Sequence, residues 1–151
     1  QVYTQSRAKE TLMSYKSISI FRRLEVIEGT LDNPYIVTMG DGEHVITADM
    51  SNKDGGTNTA MDPHHLLESS LVGCTLMTME MVAKHKGYSI GNTTVTVDIV
   101  KEGATTLMKR SLRFDPALTS EQVSKMTIIA DKCPIHKILK STIEITTETL
   151  S

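Results

Sequence analysis

The reactive groups in this chain are two cysteines and a few histidines. Cys74 lies inside a long apolar run, and Cys133 precedes Pro134 in the segment DKCPIHK. A thiolate is a nucleophile, and two thiols brought together by a fold form a dithiol that cycles to a disulfide. That chemistry asks for one thiol of lowered pKa and a second that resolves its sulfenic acid. Taken singly, each cysteine also reads as a small buried hydrophobe, because cysteine is among the most buried residue types. His64 and His65 stand ahead of Cys74, and His136 follows Cys133 by three residues. These could join Cys74 as zinc ligands, but no Cys-x-x-Cys or His-x-x-x-His pair anchors such a site. Surface or partly buried polar histidines are the plainer reading. No G-x-S-x-G, phosphate-cradling glycine loop or paired-carboxylate motif occurs. Asp54-Gly55-Gly56 lacks a strand-to-helix setting and does not read as nucleotide binding.

The element that must position Cys74 is the stretch from Asp62 to Gly87. Asp62 suits an N-cap, with Pro63 at the first helical position where its missing amide costs nothing. Gly87 suits a left-handed stop after a last turn bearing Lys84 and His85. Leu67, Leu71, Cys74, Thr78, Met81 and His85 recur at helical spacing, while Leu66, Met77 and Met79 make the opposite side apolar too. From Leu71 to Ala83 the only charge is Glu80. A helix apolar nearly all round is a buried one, and the apolar run is too short for a bilayer, which takes about 20 residues. The expectation is a central helix wrapped by the rest of the fold. Its methionines read as core filling.

The element that must position Cys133 is a second helix over Thr119 to Lys132, with Thr119 and Gln122 in capping-box spacing and Val123, Met126, Thr127 and Ala130 facing inward. Cys133-Pro134 breaks it, and a short helix through Leu139 follows. Around these lie a strand or two from Ser17 to Ile27, a turn from Gly29 to Pro34, and a hairpin from Tyr35 to Ala48 turning at Asp41-Gly42. A Gly- and Asn-rich loop spans Ser51 to Met61. An antiparallel pair follows, Thr93 to Val100 and Leu107 to Phe114, and a closing strand runs from Ile143 to Leu150. This order is α+β, not an alternating parallel-sheet protein. Gln1 to Lys16 is polar, a frayed segment or edge strand, and carries no signal-peptide pattern.

The bulk chemistry narrows the partners. The chain has 151 residues, enough for one domain, and a formal net charge of -2, which gives no electrostatic case for nucleic acid or an anionic membrane. With two Phe, four Tyr and no Trp it lacks a stacking platform for single strands. Two cysteines do not make a disulfide scaffold, and a cytoplasmic location is expected.

The segment PHHLLESSLVGCTLMTMEMVAKHKGY resembles the central-helix motif of the OsmC-like family, which includes osmotically inducible protein C and the organic hydroperoxide resistance proteins. IADKCPIHKIL resembles the second-cysteine motif of the same family, which in one branch reads Ala-Asp-Lys-Cys-Pro-Val-His. The likeness covers roughly residues 35 to 150, with both motifs in order. It implies an OsmC-like fold, with antiparallel sheets wrapped around two helices, in an intertwined homodimer with active sites at the interface. Residues 1 to 151 form one such domain, with 1 to 16 frayed or swapped onto the partner. It implies a thiol-dependent peroxidase of organic hydroperoxides in oxidative or osmotic stress defence, with Cys74 as the peroxidatic thiolate and Cys133 as the resolving thiol. An external dithiol, in some members lipoyl, reduces the disulfide, and no cofactor is needed. The family's activating pair is an N-terminal arginine and a glutamate just after the motif proline. Here His64 and His65 follow Pro63, with no carboxylate before Glu68. Arg22 and Arg23 are the arginine candidates, and His64, His65 and His136 could assist the thiolate. The other reading, from a different class, is a non-catalytic OsmC-like dimer that binds a small apolar ligand or a metal.

Overall fold

A computed structural model describes residues 26–151. Arg22, Arg23, the segment 1–16 and most of the strand expected over Ser17–Ile27 lie outside those residues. The chain forms two compact units, one through Leu66 and one from Leu67 onward.

The first unit is a three-stranded antiparallel sheet in the order β1 (Glu28–Leu31), β2 (Val37–Gly40), β3 (Val45–Ala48). The hairpin turns where Asp41-Gly42 said it would. Gly42 takes a φ of 93°, and Asp41 accepts from the Glu43 and His44 amides at 2.8 and 2.7 Å. Val37 pairs with Ala48 and Gly40 with Val45. The turn expected over Gly29–Pro34 is in its first half a strand, because Gly29 and Thr30 pair with Met39 and Thr38. Only residues 32–36 turn, closed by the Asp32 amide on the Ile36 carbonyl. The loop after β3 is organised by buried Asp49. Its carboxylate accepts from the Thr57 hydroxyl at 2.6 Å, the Thr59 hydroxyl at 2.8 Å and the Thr59 amide at 3.0 Å. A buried carboxylate persists only with such donors.

Helix α1 runs from Pro63 to His85. Asp62 caps it, accepting from the His65 amide at 2.8 Å. Gly87, at φ 84°, ends it, with the Tyr88 amide returning to the Ala83 carbonyl.

In the second unit, α1 packs with the antiparallel pair β4 (Thr94–Lys101) and β5 (Leu107–Arg113), and with α2 (Ser120–Ala130). Met79, Ala83, Ile90, Val95, Met126 and Ala130 make the core. Glu80 ties α1 to the chain after it, accepting from the Ile90 amide at 2.9 Å and the Ser89 hydroxyl. The expected capping box is present at the start of α2, where the Gln122 amide bonds Thr119 Oγ1 and the Thr119 amide bonds Gln122 Oε1. Pro134 opens α3 (Pro134–Lys140).

Four expectations are corrected. Within one chain α1 is buried along one stripe only, Leu71, Thr75, Met79 and Ala83, while Met77 and Met81 are 74% and 67% exposed. The inward stripe is thus turned from the expected Leu67, Cys74, Met81 and His85 line, because an all-round apolar sequence does not set the rotation of its helix. At 23 residues, with a mean hydropathy of 1.3 over its most apolar window, α1 is also long enough to cross a bilayer, contrary to the length argument. Its packing here is that of a core helix in the second unit. Helix α2 stops at Ala130, not Lys132, and Thr127 is exposed. The closing strand over Ile143–Leu150 does not form, since no described strand offers it a ladder, and Ile145 and Leu150 stay 86% and 81% exposed.

Candidate active site

Helices α1, α2 and α3 bring the two thiols together. Cys74 projects from the middle of α1 and is half-buried, whereas Cys133, between α2 and α3, is fully buried. Cys133 is the N-cap of α3, with its sulfur accepting from the His136 amide at 3.4 Å. The two thiols lie near enough for each to shift the ionisation of the other, and the Ile135 backbone bears on both.

The two sulfurs differ in their ease of ionisation. Burial pushes the Cys74 thiol up, its bond to Cys133 pushes it further, and the Ile135 backbone and Thr78 hydroxyl only partly offset this. Burial pushes Cys133 up as well. There, hydrogen bonds from the Cys74 thiol, the His136 and Ile135 backbone and the Thr75 hydroxyl together outweigh burial and hold the thiol below its ordinary range. Of the two sulfurs, Cys133 is the one that accepts a helix-opening amide, that of His136.

Arg110 is the cation of this neighbourhood, and the sequence reading passed it by. It comes from β5, opposite Val97 of β4, with 13% of its side chain exposed. Its guanidinium donates to Thr75 Oγ1 at 3.1 Å, to the Ala130 carbonyl at 3.0 Å and to the Asp131 carboxylate. The legible signal was register. Strand alternation places Arg110 on the face of Met108 and Leu112, where a charged side chain needs a partner. Beside it lies a cavity of about 330 Å³, lined by Leu71, Leu107, Met108 and Leu139 with Arg110 and His136 at its polar side.

The histidines divide. His136 stands by the pair through its amide, and its ring lies 3.8 Å from Asp131. His64 and His65 are in the first turn of α1, roughly two and a half turns before Cys74. The His65 ring is 3.2 Å from Asp62. Glu68, the first carboxylate after Pro63, accepts from the Ile99 amide of β4 at 2.8 Å and so serves the sheet. Among the described residues no three His, Cys, Asp or Glu side chains gather as metal ligands.

Residues 56–148, more than half of the chain, match the family of OsmC-like proteins. No curated protein matches it in sequence. Its fold is similar to that of an OsmC-like protein from Mycoplasma pneumoniae, at 19% identity and a TM-score of 0.62, over 76% of this chain and 86% of that one. It is similar also to an organic hydroperoxide resistance protein OsmC from Legionella pneumophila, at 16% identity and a TM-score of 0.54, over 76% and 88%. A third such structure is the organic hydroperoxide resistance protein OhrB of Bacillus subtilis, at 20% identity and a TM-score of 0.52, over 76% and 89%. At these identities the likeness speaks for the fold.

Proposed function

The chain belongs to the OsmC-like family, and from that premise we propose that it is a thiol-dependent peroxidase of organic hydroperoxides, acting in stress defence. The observation that carries this reading is the nearness of a half-exposed and a fully buried thiol, delivered by separate helices and each acting on the ionisation of the other. Cys74 is the thiol a peroxide can reach, so it is the nucleophile. Its sulfur takes the distal oxygen, the O–O bond breaks, and an alcohol leaves. Cys133 then displaces hydroxide from the Cys74 sulfenic acid and closes the disulfide. An external dithiol, of the lipoyl kind, restores both thiols in a cytoplasmic setting. The organic hydroperoxide resistance proteins of similar fold support the substrate class.

The working unit in this reading is a homodimer. The exposed side of α1 and the unpaired strand-like tail support it, since apolar surface of that kind is normally covered. The alternative, a non-catalytic dimer that binds a small apolar ligand, draws on the cavity beside Arg110. Its metal version has no donor set among the described residues.

The deciding experiment adds one equivalent of an organic hydroperoxide to the reduced protein and counts free thiols. Loss of both, with a Cys74–Cys133 disulfide in the peptide map and no turnover by Cys74→Ser, is the expected result. Retention of both thiols, or full activity in Cys74→Ser, removes the peroxidase reading and leaves ligand binding.

A further inference from the structure

The cavity beside Arg110 lies where β5, α3 and Leu71 of α1 meet, wholly within the second unit. Its wall is apolar, its polar side is Arg110, His136 and Lys140, and no carboxylate lines it. A guanidinium has five N–H donors. Arg110 uses three of them: two from Nη1, on Thr75 Oγ1 and the Ala130 carbonyl, and one from Nη2, on Asp131. Its Nε–H and second Nη2 hydrogen have no partner among the described residues. Nε is not sealed in, because among the described residues Tyr88 Oη is the one buried side-chain N or O atom without a partner. A mostly buried cation thus turns unused donors toward accessible space, and the space it lines is this cavity.

The charges around the cavity do not cancel. Arg110 is matched by Asp131, and the His136 ring shares that same carboxylate at 3.8 Å. Lys140, in the last turn of α3, has no ion-pair partner among the described residues. Arg110 and Lys140 against Asp131 leave one positive charge, which a single carboxylate balances. Volume limits the rest of the ligand. The cavity's volume of about 330 Å³ is about eleven times a water's share of the liquid, room for on the order of ten non-hydrogen atoms. An apolar wall with a few convergent polar groups is the usual form of a small-molecule site. We propose that this cavity binds a medium-chain monocarboxylate. Its head bonds to Arg110 Nε and Nη2 and pairs with Lys140, and its chain lies against Leu71, Met108 and Leu139. A neutral apolar ligand of the same size would leave Lys140 unmatched and Arg110 Nε without an acceptor, whereas a carboxylate makes the stronger, charge-assisted kind of hydrogen bond there. Binding is noncovalent and the thiols take no part in it, so the proposal does not rest on the peroxidase reading.

The test titrates octanoate into the reduced full chain, with octanol and acetate as probes of the chain and the head alone. Calorimetry and the methionine methyl NMR signals are the readouts. Octanoate is expected to saturate at one per chain and to move the Met108 methyl, leaving those of the core residues Met79 and Met126 in place. Octanol and acetate each lack half of the match, and each is expected to bind about tenfold more weakly or worse. Lys140→Gln, at an exposed position, is expected to weaken octanoate about two- to fivefold and to leave octanol unchanged. Arg110→Gln is expected to weaken octanoate about tenfold or more. Because Arg110→Gln also removes the bonds to Thr75 and Ala130, Lys140→Gln and the comparison of octanoate with octanol on the wild type stand without it. Failure of octanoate to saturate overturns the proposal. So does octanol binding as tightly as octanoate, and so does a shift of the exposed Met77 and Met81 methyls in place of Met108. Octanoate binding as expected beside a failed peroxide titration would remove the peroxidase reading and leave this site.

Discussion

Met79 and Met126 are fully buried in the core shared by α1, α2 and the β4–β5 pair. Truncating a core methionine loses its transfer energy and leaves a cavity that its neighbours only partly close, so Met79→Ala is expected to cost about 2–5 kcal/mol. A fall in the urea midpoint at unchanged slope is the measurement, and a loss below about 0.5 kcal/mol would mean that the packing around this side chain is not as described. Residues of this kind are hard to rank from sequence, because nine methionines look alike until a helix has a rotation. The thiols were legible for the opposite reason: few residue types do their chemistry. Arg110 and Thr75 were not. An arginine is read as surface by default, and a threonine inside an apolar run is read as part of the run. Their importance lies in a contact between β5 and α1, 35 residues apart in sequence, which neither segment announces.

Elements were most legible where a short-range rule fixes a boundary. Asp62-Pro63, Asp41-Gly42 and the Thr119–Gln122 pair each name a local hydrogen bond, and each bond is present. The cap of α2 matters beyond its own helix, because α2 carries the chain to Cys133. Thr119→Ala removes the side-chain acceptor for the Gln122 amide and is expected to cost about 1 kcal/mol. Chemical denaturation reads this, and the same sample should still show both thiols oxidised together, since the cap lies a full helix away from them. Loss of coupled oxidation in this variant would mean that α2 is less rigid than its packing suggests. Boundaries that depend on a distant partner were less legible. The alternation over Ile143–Leu150 is a genuine strand pattern, but a strand exists only where a ladder receives it. In β1, Gly29 looked like turn punctuation, yet it sits opposite Met39, where its missing side chain lets the strands lie close.

Across the molecule, carboxylates pin the junctions between elements. Asp41 holds the hairpin turn, Asp62 the entry to α1, Glu80 its exit, and Asp115 the link to Asn92 and Ala117, each carboxyl held below its ordinary range chiefly by backbone amides. Asp49 is held low first by the Thr57 hydroxyl. A folded-state pKa below the unfolded one adds stability above the unfolded value of about 4, and that contribution fades as pH falls through the folded value. The urea midpoint is therefore expected to decline steadily below about pH 4, with Asp49→Asn less stable at neutrality and flatter against acid. A midpoint insensitive to acid would show that these contacts do not carry weight. The second property at this scale is the uncovered apolar side of α1. In the proposed homodimer Met77 and Met81 are buried against the second copy, so a carboxylate at either position would be stranded without a partner on association. Both side chains are exposed in the single chain, so Met81→Glu does not disturb the fold of that chain. Sedimentation is expected to give a dimer for the wild type and a monomer for Met81→Glu, with unchanged helical content. A wild-type monomer at working concentrations would remove the dimer, and a Met81→Glu dimer would place its interface on another face.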